Sequence, residues 1–102
     1  MKKIIVPTYI EYNACQLTTD NLSKFKSFIS NDAYNIFVTF KELKDKQIPV
    51  EISFKWNPYG NDYPDTIIVK LNQYFLYDVE NPDHYIVIDA EDIREEWYIY
   101  ES

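Results

Sequence analysis

The sequence predicts an α+β domain: a mostly antiparallel sheet of five or six strands, with one main helix (about residues 18–30) packed on one face. Three observations predict it. Aromatic residues make up 18% of the chain and alternate with Ile and Val in several short runs, which is the pattern of half-buried strands. A single long stretch repeats apolar residues at helical spacing. The 102 residues contain no internal repeat or linker, and 46% of them are hydrophobic, so residues 1–102 form one domain around one core.

Ile4 to Tyr12 reads as a first strand, which Pro7, lacking an N–H, pushes toward a sheet edge or a bulge. Leu17 to Ser30 reads as the helix. Thr18, Thr19 and Asp20 are its candidate N-caps, and Leu22, Phe25 and Ile29 form an apolar stripe opposite Lys24 and Lys26. Asn35 to Leu43 is a strand with Ile36, Val38 and Phe40 on one face. After the polar turn Lys44-Asp45-Lys46-Gln47, Ile48 to Trp56 supplies its hairpin partner, with Val50, Ile52 and Phe54 alternating.

Asn57 to Asp65 is the clearest loop, holding two prolines and Gly60. Thr66 to Val79 reads as one long strand or a tight pair broken near Asn72-Gln73. Asn81-Pro82-Asp83 is a turn. Tyr85 to Asp89 is a short strand, Ala90 to Trp97 a short helix, and Tyr98 to Tyr100 a terminal strand.

Composition removes whole classes of function. Gly60 is the only glycine, which excludes the Gly-rich phosphate loops and dinucleotide fingerprints. The one cysteine, Cys15, excludes an internal disulfide and a cysteine-rich zinc site, and it reads as a small buried hydrophobe. The one histidine, His84, sits in a turn and faces solvent. A nucleophile, a base and an orienting group are not evident, so no catalytic residue is assigned and the chain reads as non-enzymatic. No metal site and no cofactor are expected, because a calcium loop would need a Gly turn that is missing. No apolar run is long enough for a membrane span, and the N-terminus does not read as a signal peptide.

Charge is the informative feature. The formal net charge is −7, which argues against direct nucleic-acid or anionic-membrane binding. It is also lopsided. Residues 1–77 hold nine lysines against eight carboxylates, whereas residues 78–102 hold Arg94 against nine. Asp89, Glu91, Asp92, Glu95 and Glu96 crowd one segment, and helical spacing would bring Glu91 and Asp92 close to Glu95. Such a face suits a protein partner with a basic surface, and Trp97 and Tyr98 beside it could anchor the contact. Tyr59 and Tyr63, on the Pro-stiffened loop, are further candidate partner-binding residues.

The two ends of the chain carry a resemblance. Near the start stand Lys2-Lys3-Ile4-Ile5-Val6 and then Glu11-Tyr12-Asn13-Ala14-Cys15-Gln16-Leu17-Thr18. The end has Pro82-Asp83-His84-Tyr85-Ile86-Val87-Ile88, then Asp92-Ile93-Arg94-Glu95-Glu96 and Tyr100-Glu101. These segments resemble a family of short accessory proteins of phages and prophages of Gram-positive bacteria, to which no function is assigned. The family's glycine before the closing strand and its Gly-Glu hairpin after it are both missing here. The resemblance implies a cytoplasmic setting in an infected bacterium, and it transfers no catalytic residue.

Taken with the acidic segment, it points to an inhibitor of a host nucleic-acid enzyme: a restriction or CRISPR nuclease, a glycosylase or a replication factor. A line of carboxylates would stand in there for a phosphate backbone. The alternatives are an immunity-type antitoxin that neutralises a basic toxin, and an accessory protein whose acidic face serves only solubility.

Overall fold

The computed structural model describes residues 2–5, 11–93 and 98–101. Among these residues eight strands and one α-helix follow in the order β1 (Lys2–Ile5), β2 (Glu11–Gln16), α1 (Leu22–Ile29), β3 (Ala33–Leu43), β4 (Lys46–Trp56), β5 (Asp65–Lys70), β6 (Gln73–Asp78), β7 (Tyr85–Asp89) and β8 (Tyr98–Glu101). All the pairings are antiparallel. This is the α+β class expected from the aromatic alternation, with one correction. The strands do not make a single sheet of five or six. One sheet is β3-β4-β5; the other contains β7-β6-β2, continued by β1 and β8 beyond β2.

The reason lies in the connection after β5. Leu71 and Asn72 turn the chain from one sheet into the other, with Asn72 in the left-handed region at φ 75°. Leu71 N–H donates to the Val50 carbonyl (2.9 Å), while Asn72 N–H donates to the Leu17 carbonyl (2.7 Å). Thr66 to Val79 is therefore neither one strand nor a hairpin. β5 pairs with β4, and β6 pairs with β2 and β7.

The two sheets face one another across the main core. Ile52, Phe54 and Trp56 of β4 and Ile67 and Val69 of β5 come from the three-stranded sheet, and Phe75 from β6 of the other. Phe75 lies at the centre, its ring centroid 4.9 Å from Trp56, 5.2 Å from Phe54 and 6.3 Å from Phe28. Helix α1 closes the side of this core with Phe25 and Ile29, both fully buried. The predicted stripe Leu22–Phe25–Ile29 is thus the buried face of α1, and Lys24 and Lys26 are exposed.

The helix starts later than expected, at Leu22. Thr18, Thr19 and Asp20 precede the N-cap residue, Asn21. Asn21 Oδ1 accepts from Thr18 N–H and its Nδ2 donates to the Gln16 carbonyl, so this side chain fastens the strand–helix junction instead of capping the helix.

A second, smaller core lies on the opposite face of the β7-β6-β2 array. There Tyr12, Ala14, Tyr74 and Leu76 are buried, with Ile86, Ile88 and Ile93 packed against them. Both faces of β6 are covered, which explains its consecutive buried residues Tyr74, Phe75 and Leu76.

Two further expectations change. Ile4 to Tyr12 is not one strand, because β1 ends at Ile5 and β2 begins at Glu11; Pro7 lies outside the described residues. Of the helix expected over Ala90 to Trp97, the described part is one 3-10 turn, Ala90–Asp92, which ends at Ile93 in extended conformation; residues 94–97 lie outside the described set. The β3–β4 hairpin and β7 fall where predicted. The polar turn narrows to Lys44-Asp45, both at positive φ (50° and 65°), the twist of a two-residue hairpin connection.

Candidate functional site

The β6–β7 hairpin positions the acidic residues. Asp78, Glu80 and Asp83 stand at its turn, whereas Asp89, Glu91 and Asp92 follow the far end of β7. Four residue steps separate Tyr85 from Asp89, about 13 Å of extended chain, which exceeds the screening distance of about 8 Å at physiological salt. The carboxylates of residues 78–93 therefore form two groups at opposite ends of a hairpin.

At the turn end, Asp78 is pinned in place. Its Oδ1 accepts from Glu80 N–H (2.9 Å), and its Oδ2 lies 3.9 Å from His84 Nδ1. His84 is exposed as expected, and its ring meets Tyr12 edge-on at 6.2 Å. Burial, and then the charge of Asp78, hold the Tyr12 phenol above its ordinary value of 10.0.

At the other end, Asp89, Glu91 and Asp92 are all exposed. Asp89 Oδ1 accepts from Gln73 Nε2 (2.9 Å), and Gln73 Oε1 accepts from Lys70 N–H (2.8 Å). Asp89 is thereby fixed to the sheet, and Glu91 and Asp92 are carried on the single 3-10 turn beside it. Among the described residues these three carboxylates form no ion pair. Glu95, Glu96 and Trp97 lie outside the described residues. Tyr98 belongs to β8, which pairs with β1 at the sheet edge remote from β7. The expected helical juxtaposition of Glu91 and Asp92 with Glu95 involves a residue outside the described set; Glu91 and Asp92 themselves stand in a 3-10 turn that ends at Asp92.

The loop from Asn57 to Pro64 is tied down at one end and free at its tip. Trp56, which precedes it, is buried and donates its indole N–H to the Pro82 carbonyl (2.7 Å). Tyr59 donates its hydroxyl to Asn81 Oδ1 (3.0 Å), and Asn57 and Asn61 bond each other twice. Tyr63 is 94% exposed. Beneath the loop, Tyr85 donates its hydroxyl to Asp65 Oδ2 (2.9 Å). Burial first, then that bond and the charges of Asp65 and Asp83, raise its phenol above 10.0. Tyr59 is thus tied to the β6–β7 turn that carries Asp78, Glu80 and Asp83, and Tyr63 follows it on the same loop.

Among the described residues no three His, Cys, Asp or Glu side chains gather to hold a metal ion, and no helix is long and apolar enough to cross a membrane.

Sequence reasoning missed a group of lysines. Lys41, Lys46, Lys55 and Lys70 are spread along β3, β4 and β5, and the strand registers place them on the outward face of that sheet. The available signal was their alternation with core residues, as in Phe54-Lys55-Trp56 and Val69-Lys70. No family model, no curated protein and no solved structure matches this chain.

Proposed function

We propose that this chain is a non-enzymatic binding protein that docks onto the basic surface of a protein partner through the carboxylates Asp89, Glu91 and Asp92. One observation carries the reading: three exposed carboxylates fall within four consecutive residues where β7 ends, one of them anchored by Gln73, with no ion pair among the described residues to offset them. Solvated charge of one sign speeds encounter with an oppositely charged surface and makes the complex sensitive to salt. The resemblance at the chain ends supports a phage setting. In its finer form, the partner is a host nucleic-acid enzyme whose basic groove takes the carboxylates in place of phosphates.

The test is a pull-down from bacterial lysate at low and high salt, using the intact chain and the variant Asp89→Asn/Glu91→Gln/Asp92→Asn. A captured protein that is lost both at high salt and with the variant supports the reading. Capture by the variant equal to that by the parent protein overturns it. Glu95→Gln/Glu96→Gln, compared in the same assay, reports whether the next segment shares the contact.

A further inference from the structure

The outward face of the β3-β4-β5 sheet combines exposed rings with cations. The strand registers align Tyr34–Lys55–Thr66, then Phe37–Ser53–Ile68, then Thr39–Glu51–Lys70 across the three strands. Beyond these rows, Lys41 lies opposite Ile48, and Leu43 opposite Lys46.

Two bulges produce this arrangement. Asn35 and Ile36 together oppose Phe54, with Asn35 in the left-handed region at φ 53°, so Ile36 turns to the core and Phe37 outward. Val50 is the extra residue of the second bulge, and beyond it Ile48 and Lys46 continue the outer rows. Phe37 is 69% exposed, Ile68 50% and Tyr34 45%. The face holds four lysines against one carboxylate, Glu51, in a protein whose net charge is −7. Among the described residues none of the four lysines forms an ion pair.

We propose that this face binds single-stranded nucleic acid, with Tyr34 and Phe37 stacking on bases and Lys41, Lys46, Lys55 and Lys70 contacting phosphates. The chemistry matches on two counts. Every base offers a flat π-face to an exposed aromatic ring, and the register places Tyr34 and Phe37 in successive outward rows of β3. The surplus of lysines supplies the counterion release that drives binding. An acidic polypeptide would satisfy the lysines alone and leave the rings without a stacking partner.

The overall charge does not prevent this, because screening over about 8 Å lets the local surface dominate at contact. Net charge averages over the whole molecule, whereas strand pairing gathers four of its nine lysines on this face. It is independent of the partner reading for Asp89, Glu91 and Asp92, which are absent from this face.

The experiment is fluorescence anisotropy with the full chain and a fluorescein-labelled oligothymidylate of about 20 nucleotides. Saturable binding is expected at low salt. Its logarithm should fall against the logarithm of salt concentration with a slope of about −2 to −3, the value for up to four phosphate contacts on a single strand. Phe37→Ala should weaken binding about tenfold, the scale of one lost base stack. Lys55→Gln/Lys70→Gln should flatten the salt slope by about 1.4. Lys24→Gln/Lys26→Gln, on the exposed side of α1, should change neither. Because Phe37 and these lysines are not core residues, an unchanged circular dichroism spectrum verifies the fold of each variant.

Absence of saturable binding at low salt overturns the proposal, as does an equal loss with the α1 variant. Competition by polyglutamate as strong as by unlabelled oligonucleotide also overturns it, reassigning the face to an acidic polypeptide.

Discussion

Phe75→Ala tests the arrangement of two sheets around a single aromatic hub. Phe75 is fully buried, and its ring meets those of Trp56, Phe54, Tyr85, Tyr77 and Phe28 at centroid distances between 4.9 and 6.3 Å. Truncating a buried Phe to Ala costs about 3–5 kcal/mol in lost transfer energy and residual cavity. Ring pairs add about 0.5–1.5 kcal/mol each beyond burial, although pairs sharing one ring do not sum, so the upper end applies: about 4–5 kcal/mol. A domain this size holds about 5–15 kcal/mol in total, so the variant should lie near the edge of folding.

Urea unfolding followed by circular dichroism measures the loss. Phe37→Ala supplies the control, the same chemical change at a site 69% exposed, and it should stay within about 0.5 kcal/mol of the parent protein. If the alanine variant does not fold, Phe75→Leu should still cost about 1–2 kcal/mol. A Phe75→Ala loss below about 1.5 kcal/mol, or one matched by Phe37→Ala, would refute the placement of Phe75 between the sheets.

Three further outcomes are expected. Trp56→Phe removes the donor to the Pro82 carbonyl, and should cost about 1–3 kcal/mol in urea unfolding and speed amide exchange at His84 of the β6–β7 turn; unchanged exchange there would contradict the tie. Lys44→Asn/Asp45→Gly relieves two L-residues held at positive φ and should raise stability by about 1 kcal/mol, whereas a lowered urea midpoint would argue against the two-residue turn. The phenols of Tyr12 and Tyr85 lie above 10.0 in the fold, so near that pH the unfolded chain loses protons that the folded one keeps. Their stabilisation is complete below pH 10 and is lost as pH rises through the folded values; Tyr85→Phe should reduce this alkaline loss, and a variant with the same alkaline slope as the parent would contradict it.

Local pattern made the individual elements legible but not their partners. Ile52, Phe54 and Trp56 face one side because a strand alternates, and Leu22, Phe25 and Ile29 share a helix face because a helix repeats every 3.6 residues. β6 was harder to delimit: Tyr74, Phe75 and Leu76 are all buried because cores lie on both of its faces, so the alternation that marks a strand edge is lost. The division into two sheets depends on Leu71 and Asn72, two residues with backbone bonds to Val50 and Leu17, and pattern does not encode such distant partners. The acidic segment was visible as composition. Its separation into two groups follows only from the pairing of β6 with β7. The outward lysines stayed hidden because strand alternation disperses along the chain what pairing gathers in space.

The pairing order also bears on how the protein emerges from a ribosome. The β3-β4-β5 sheet closes once Lys70 has been made, through the two-residue turn Lys44-Asp45 and the loop from Asn57 to Pro64. At that point its inner face, Ile52, Phe54, Trp56, Ile67 and Val69, lacks the cover that β6 and β7 later supply. The other sheet joins Lys2 to Glu101, so it cannot finish until the last strand is made. Nascent chains thus pass through a stage with a sticky half-sandwich, when collision with a neighbour competes with completion, and slower translation beyond β5 would lengthen that exposure.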